Sequence, residues 1–224
     1  MTLSTIRHDD IFPSYKYNYP ITVIGVGAIG SRVGMALVEL GLTNLAFIDF
    51  DTVEPHNLAN QAFMDAHIGI SKTTAMEDLV RMKLGYVPDN MKFVNNKIDK
   101  DSKPMNHGTV FMCVDSIEAR RMLIDKFIRD ESATVVFDTR MASTHGNVHV
   151  VNLLNPSAVN EYLNKLPADD DNTEVSACGT SLTVGTTASI LANLVVWQFM
   201  HFKHEPAALT KNIEIYLKPL MICE

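Results

Sequence analysis

A β-rich run, Ile21-Thr22-Val23-Ile24, leads directly into Gly25-Val26-Gly27-Ala28-Ile29-Gly30, and helical spacing begins at Ser31. Glycines spaced this way between a strand and a helix suit one kind of chemistry. They let an anionic phosphate rest on backbone amides at a helix N-terminus, where free N–H groups and the helix dipole favour negative charge. Gly25 permits the tight turn, Gly27 lets phosphate approach the backbone, and Gly30 lets helix and strand pack closely. Asp49 follows nineteen residues after Gly30, at the end of the strand-like Leu45-Ala46-Phe47-Ile48. A carboxylate there can accept hydrogen bonds from ribose hydroxyls. The ribose of NAD and that of ATP fit this arrangement equally well, so hydride transfer and nucleotidyl transfer both remain open.

These residues have to be positioned by a βαβ unit: strand, glycine turn, helix over 31–40, and strand within about thirty residues, which implies parallel pairing. The spacing predicts further helices over 71–84, with Ser71 as N-cap and Gly85 beyond its end, over 117–129, and over 156–166. Strands are expected at 92–95, 109–114, 134–138, 147–153 and, last, 213–217. The fold class is therefore α/β, a Rossmann-like and mainly parallel sheet flanked by helices, with a mixed or antiparallel extension after about residue 140. The whole chain, 1–224, reads as one domain. Its motif region is 20–125, and 126–224 carries the sheet extension, an acidic loop and a C-terminal helix.

Composition removes several functions. With 46% hydrophobic and 20% charged residues, the 224-residue chain is an ordinary globular sequence rather than a disordered or collagen-like one. A net charge of −7 and the lack of a basic run argue against a nucleic-acid partner, which would need clustered Lys and Arg. The N-terminus lacks an apolar signal core, and three scattered cysteines, Cys113, Cys178 and Cys223, fit a reducing compartment, so the expected location is the cytoplasm. No charged residue falls between Val175 and Phe202, but Thr, Ser, Asn and Gln recur through that stretch. A buried helix with polar turns fits it better than a membrane span. The four acidic residues among positions 169–174 read as a solvated surface loop.

Three further segments separate the two chemistries. Asp49-Phe50-Asp51-Thr52-Val53, then Asn57-Leu58-Ala59-Asn60-Gln61, then Ser71-Lys72, resemble the ThiF/MoeB/ubiquitin-activating (E1-like) adenylyltransferase superfamily. Cys113-Val114-Asp115-Ser116, ahead of Arg120, is similar to that superfamily's second acidic signature, and the elements occur in its order. The resemblance implies ATP-dependent, Mg²⁺-dependent adenylation of the C-terminal carboxylate of a ubiquitin-like or sulfur-carrier protein or peptide. It also implies a homodimer. In this reading Gly25, Gly27 and Gly30 lie against the phosphates, and Asp49, with Asp51, takes the ribose side. Asn57 hydrogen-bonds ribose or phosphate, Lys72 supplies a point charge to the phosphates, and Asp115 holds Mg²⁺. An attacking carboxylate and an α-phosphate are both anions, so catalysis must consist of positioning and charge neutralisation.

The sequence departs from the family pattern in places. Asn60 stands where the family carries an arginine, so a positive charge near the β- and γ-phosphates is missing, although Asn60 can still hydrogen-bond. Asp138-Thr139-Arg140-Met141 is similar to compact phage- or plasmid-type members, which would make Arg140 the candidate for restoring that charge. Arg7 is the only residue comparable to an arginine that the family donates from the partner subunit. Cys178 and Cys223 are single, so the family's zinc site of two Cys-x-x-Cys pairs is not expected. Cys178 lacks a neighbouring base and reads as a small buried hydrophobe, as Cys113 does. His145 and His149 alternate along a strand and read as sheet-surface residues. Two rivals remain. One is a non-catalytic nucleotide-binding subunit of an E1-like complex, motivated by Asn60. The other is an NAD-dependent oxidoreductase, which would leave Asn57, Lys72 and Asp115 unexplained.

Overall fold

The computed structural model describes residues 3–103, 105–167, 184–205, 209 and 211–224. Eight strands form one sheet in the order β3-β2-β1-β4-β5-β6-β7-β8. These are β1 Ile21–Ile24, β2 Leu45–Asp49, β3 Lys92–Asn95, β4 Gly108–Met112, β5 Ala133–Met141, β6 His145–Asn152, β7 Asn212–Leu217 and β8 Leu220–Cys223. Pairing is parallel from β3 across to β5 and antiparallel from β5 to β8. The apolar run of β1 is buried along its whole length, as a central parallel strand covered on both faces must be. Chain order reverses between β1 and β4, and in an open parallel sheet such a switch point opens a crevice at the carboxyl ends of the strands.

Among the described residues, five α-helices cover the sheet: α1 Gly30–Glu39, α2 Lys72–Leu84, α3 Ile117–Arg129, α4 Pro156–Lys165 and α5 Gly185–His204. Side-chain alternation separates two cores. Phe47, Phe111, Phe137 and Val148 face α1, α2 and α5, while Val110, Met112, Val136 and Val151 face α3 and α4. Phe111, Phe137 and Phe199 form a ring cluster with centroids 5.2–5.9 Å apart beneath the carboxyl edge.

Local chemistry accounts for the boundaries. Ser71 Oγ accepts from the amide of Thr74 at 3.1 Å to start α2, and Gly85 ends it with φ 82°. Ser116 caps α3 through the amide of Ala119, and Asn155 caps α4 ahead of Pro156. Three expectations change. β4 ends at Met112 rather than at residue 114, because the chain leaves the sheet there to reach the Ser116 cap. β5 runs on to Met141, since β6 pairs with it antiparallel as far as Gly146. β7 is not the last strand: Lys218 and Pro219 turn the chain into β8, whose four residues are all exposed.

Candidate functional site

The glycine loop closes over the end of β4. Gly25 has φ 84°, and a Cβ there would stand 2.7 Å from the Cys113 carbonyl oxygen, so residue 25 must be glycine on two counts. A Cβ on Gly30 would collide with the Gly25 carbonyl, whereas a Cβ on Gly27 would meet open space. α1 has no side-chain cap and no acidic residue in its first turn. The amides of Gly27, Ala28, Ile29 and Gly30 find no acceptor among the described residues. Four unpaired donors at the positive end of a helix form a cradle for an anion.

Asp49 braces this loop. One carboxylate oxygen accepts from the amide of Val26 at 2.6 Å and the other from that of Asp51 at 2.8 Å, with the side chain buried. Asp51 pairs with Lys72 Nζ at 2.7 Å; the lysine side chain is 10% exposed and the aspartate 49%. Backbone bonds hold the pair in place: Lys72 N–H donates to the Asp51 carbonyl, and Val53 N–H to that of Ile70. Asn57 is buried, with its side-chain oxygen accepting from the Glu54 amide. A cleft of about 340 Å³ opens here, with Phe50, Asp51, Asn57 and Lys72 among its lining residues. The turn that follows, through Asn60, is tied to α1 by Ala62 N–H donating to Ser31 Oγ at 3.1 Å.

Asp115 lies in the loop between β4 and α3. It is exposed, with no side-chain partner among the described residues, and Ser116 rather than Asp115 caps the helix. The loop is clamped from below by Arg120, which donates to the carbonyls of Val114, Ser116 and Thr139 and, at 2.8 Å, to Asp138 Oδ1. Asp138 has no exposed surface and also accepts from Arg140 Nε and the Tyr162 hydroxyl, each at 2.9 Å. Burial alone would raise this carboxyl, but the two guanidinium charges and their hydrogen bonds hold it below the usual carboxylate range. Tyr162 is pushed well above its ordinary value, by burial first and by the Asp138 charge second.

The expected residues thus fall into separate places. Gly25, Gly27 and Gly30 share the loop that Asp49 braces, Asp51, Asn57 and Lys72 line the cleft beside Phe50, Asn60 lies on the turn tied to α1, and Asp115 stands across β1 from Asp49. Arg140 turns to the α4 side, with its guanidinium on Asp138 and over the Tyr162 ring, while Asn60 lies beside α1 and the start of α5. Asp138 does not line the crevice, because its carboxylate is consumed by three buried donors. His149 is covered rather than at the sheet surface: its Nδ1 is 2.6 Å from Asn212 Oδ1, and burial first, then the Arg140 charge, lowers its pKa. Arg7 and His145 are exposed. Cys113 packs against the core, where burial, then Asp138, pushes its thiol up to about 12. Cys178 and the acidic loop lie outside the described residues. Sequence reasoning missed Tyr162 and Arg32. Nothing local marks a tyrosine as the partner of an aspartate 24 residues away, but an arginine in the first turn of an uncapped helix is an electrostatic oddity that could have been noticed.

A family model for ThiF matches residues 17–218. The chain belongs to the ThiF family. Similar curated proteins include a ubiquitin-like modifier-activating enzyme 5 from Oryza sativa subsp. japonica, 29% identical over 47% of this chain and 28% of the relative. A molybdopterin-synthase adenylyltransferase from Haemophilus influenzae is 27% identical over 45% of this chain and 42% of its own length. The chain spans less than half the length of these relatives. Among solved structures, the E. coli tRNA N6-threonylcarbamoyladenosine dehydratase TcdA superposes with a TM-score of 0.61 at 17% identity, covering 94% of this chain and all of that one. PaaA superposes at 0.65 and 15% identity, covering 92% of this chain and 62% of that one. At such identities the likeness shows the fold, a ThiF-like Rossmann-type sheet.

Proposed function

We propose that this ThiF-family protein binds ATP at the α1 cradle and transfers its adenylyl group to a carboxylate, the C-terminus of a ubiquitin-like or sulfur-carrier protein or peptide. The observation that carries the reading is the row of four amides from Gly27 to Gly30 left without an acceptor among the described residues, beside Asp49, whose other oxygen holds the amide of Asp51, the partner of Lys72. The family match and the adenylyltransferase named among its relatives support it. A carboxylate oxygen attacks the α-phosphorus, the bond to the bridging oxygen breaks, and pyrophosphate leaves. Lys72 offsets charge on the phosphates, the amides orient them, and Asp49 keeps the loop in the receiving conformation while its remaining lone pairs face the ribose. No group of three His, Cys, Asp or Glu that could hold a metal occurs among the described residues. Mg²⁺ at a nucleotide needs only one or two protein carboxylates, and Asp115 offers an exposed one. Asp115 is the residue that would hold the ion, which would supply positive charge against the phosphates.

The outward face of α5 supports a homodimer. Ile190 and Trp197 are left exposed on it, among the polar Thr186, Asn193 and His204 of the same outward side. Asn60 in place of the family arginine favours a second reading, a nucleotide-binding subunit without adenylation activity. Thermal unfolding and pyrophosphate exchange separate the two. MgATP at a hundred times its Kd should raise Tm by about 5 °C or more. Lys72→Met, which keeps the buried stem and removes the charge, and Asp115→Ala should both abolish the shift and the exchange. A MgATP shift without exchange on any carboxylate-bearing partner supports the subunit reading, and a shift with NAD alone overturns both.

A further inference from the structure

Arg32 is the third residue of α1, so its charge sits on the positive end of a helix with neither a side-chain cap nor an acidic residue in the first turn. That placement is unfavourable unless an anion joins it. The guanidinium has no ion-pair or hydrogen-bond partner among the described residues, and its Nε is buried with no acceptor. Helical side chains lean toward the N-terminus, which carries this one toward the free amides of residues 27–30. Its surroundings are fixed from two sides. Ser31 Oγ binds the Ala62 amide and draws the Asn57–Ala62 turn onto the first turn of α1. A Cβ placed on Gly185, at the start of α5, would stand 3.3 Å from Arg32 Nη2 and 3.2 Å from Asn60 Cα. The guanidinium and the backbone of residue 60 therefore flank the same glycine.

We propose that Arg32 is a phosphate-binding residue of the nucleotide site, and that it brings to the β- and γ-phosphates, from α1, the positive charge that Asn60 does not supply. The inference rests on the ATP reading above. It assigns that charge to the α1 side of the sheet rather than to Arg140, whose guanidinium is committed to Asp138 and Tyr162 on the α4 side. A guanidinium is suited to the task because it presents a fixed fork of donors to phosphate oxygens and stays charged throughout the accessible pH range.

The test is titration calorimetry of the full chain with MgATP, AMP and inorganic pyrophosphate, comparing wild type with Arg32→Gln and Arg32→Lys. The position is only partly buried, and without ligand neither variant should melt below wild type, with Arg32→Gln at or slightly above it because a like charge is removed from the helix N-terminus. Arg32→Gln should weaken MgATP roughly ten- to a hundred-fold, the loss expected for one charge-assisted contact. AMP, which lacks the outer phosphates, should change by less than about twofold on the same grounds. Arg32→Lys should fall between wild type and Gln. Unchanged MgATP binding in Arg32→Gln, or equal losses for MgATP and AMP, overturns the assignment while leaving the nucleotide site standing. Pyrophosphate binding lost in Arg32→Gln, in a protein whose wild type shows no MgATP binding, would mark an anion site unconnected with adenylation and overturn both readings.

Discussion

Asp138 gathers three side-chain donors, from Arg120, Arg140 and Tyr162, on one fully buried carboxylate. It holds one negative charge against two guanidiniums and a hydroxyl with no access to water, and through Arg120 it sets the carbonyls on either side of Asp115. Removing the charge strands the buried Arg120 and the half-buried Arg140, so Asp138→Asn should destabilise the protein by about 3–5 kcal/mol. Tyr162→Phe, which removes one neutral donor, should cost about 1–2 kcal/mol. The folded pKa of Asp138 lies below its unfolded value, so the contribution of its charge is fully present above the unfolded aspartate value near 4 and fades as pH falls through the depressed folded value. Denaturant melts should show a constant gap between wild type and Asp138→Asn from about pH 5 upward, closing below about pH 4. A gap that persists undiminished at pH 3 would contradict the assignment of charge at this site.

Within the strand–loop–helix unit, the glycines divide into those the fold needs and one it does not. Gly30 and Gly25 are excluded from bearing a side chain by carbonyl oxygens of the chain itself, while Gly27 faces open space. Gly30→Ala should therefore cost about 3 kcal/mol or more, since the obstructing atom is backbone and cannot rotate away. Gly27→Ala should melt within about 1 kcal/mol of wild type and yet lose the MgATP shift, because its Cβ would stand where phosphate approaches. If both variants lose stability alike, the loop is simply a packed turn. Measuring the two melts with and without MgATP distinguishes these cases. The same unit was the most legible part of the sequence. Its β1 and β2, and the Ser71 cap and Gly85 stop of α2, depend on neighbours a few residues away and formed as their local chemistry dictates.

Across the whole molecule, α5 connects the two halves of the sheet. It packs on α1 and against β5 and β6, where Leu191 fills the space that a Cβ on Gly146 would need. The apolar residues left on its outer side, Trp197 at 47% exposure and Ile190 at 38%, should be covered by the second subunit of the proposed homodimer. Trp197→Glu should halve the mass measured by light scattering and leave the monomer's circular dichroism unchanged, because the position is not part of the core. A wild-type protein that is monomeric at micromolar concentration would remove this interface.

Read alone, the sequence determined the family, the parallel first half of the sheet and the glycine loop, because each depends on a short motif whose spacing is itself the geometry. It also set the expectation that Asn60 leaves a charge missing. It did not show where that charge could come from. Arg140 was the candidate through the resemblance of its segment to compact family members, but strand alternation turns it toward α4, where a buried carboxylate and an aromatic face take it up. Only the packing of α1 against the 57–62 turn and the start of α5 brings Arg32 beside residue 60, across separations of 28 and 153 positions. Charge is felt over ångströms in space and not along the chain, and so its placement was left to the tertiary structure.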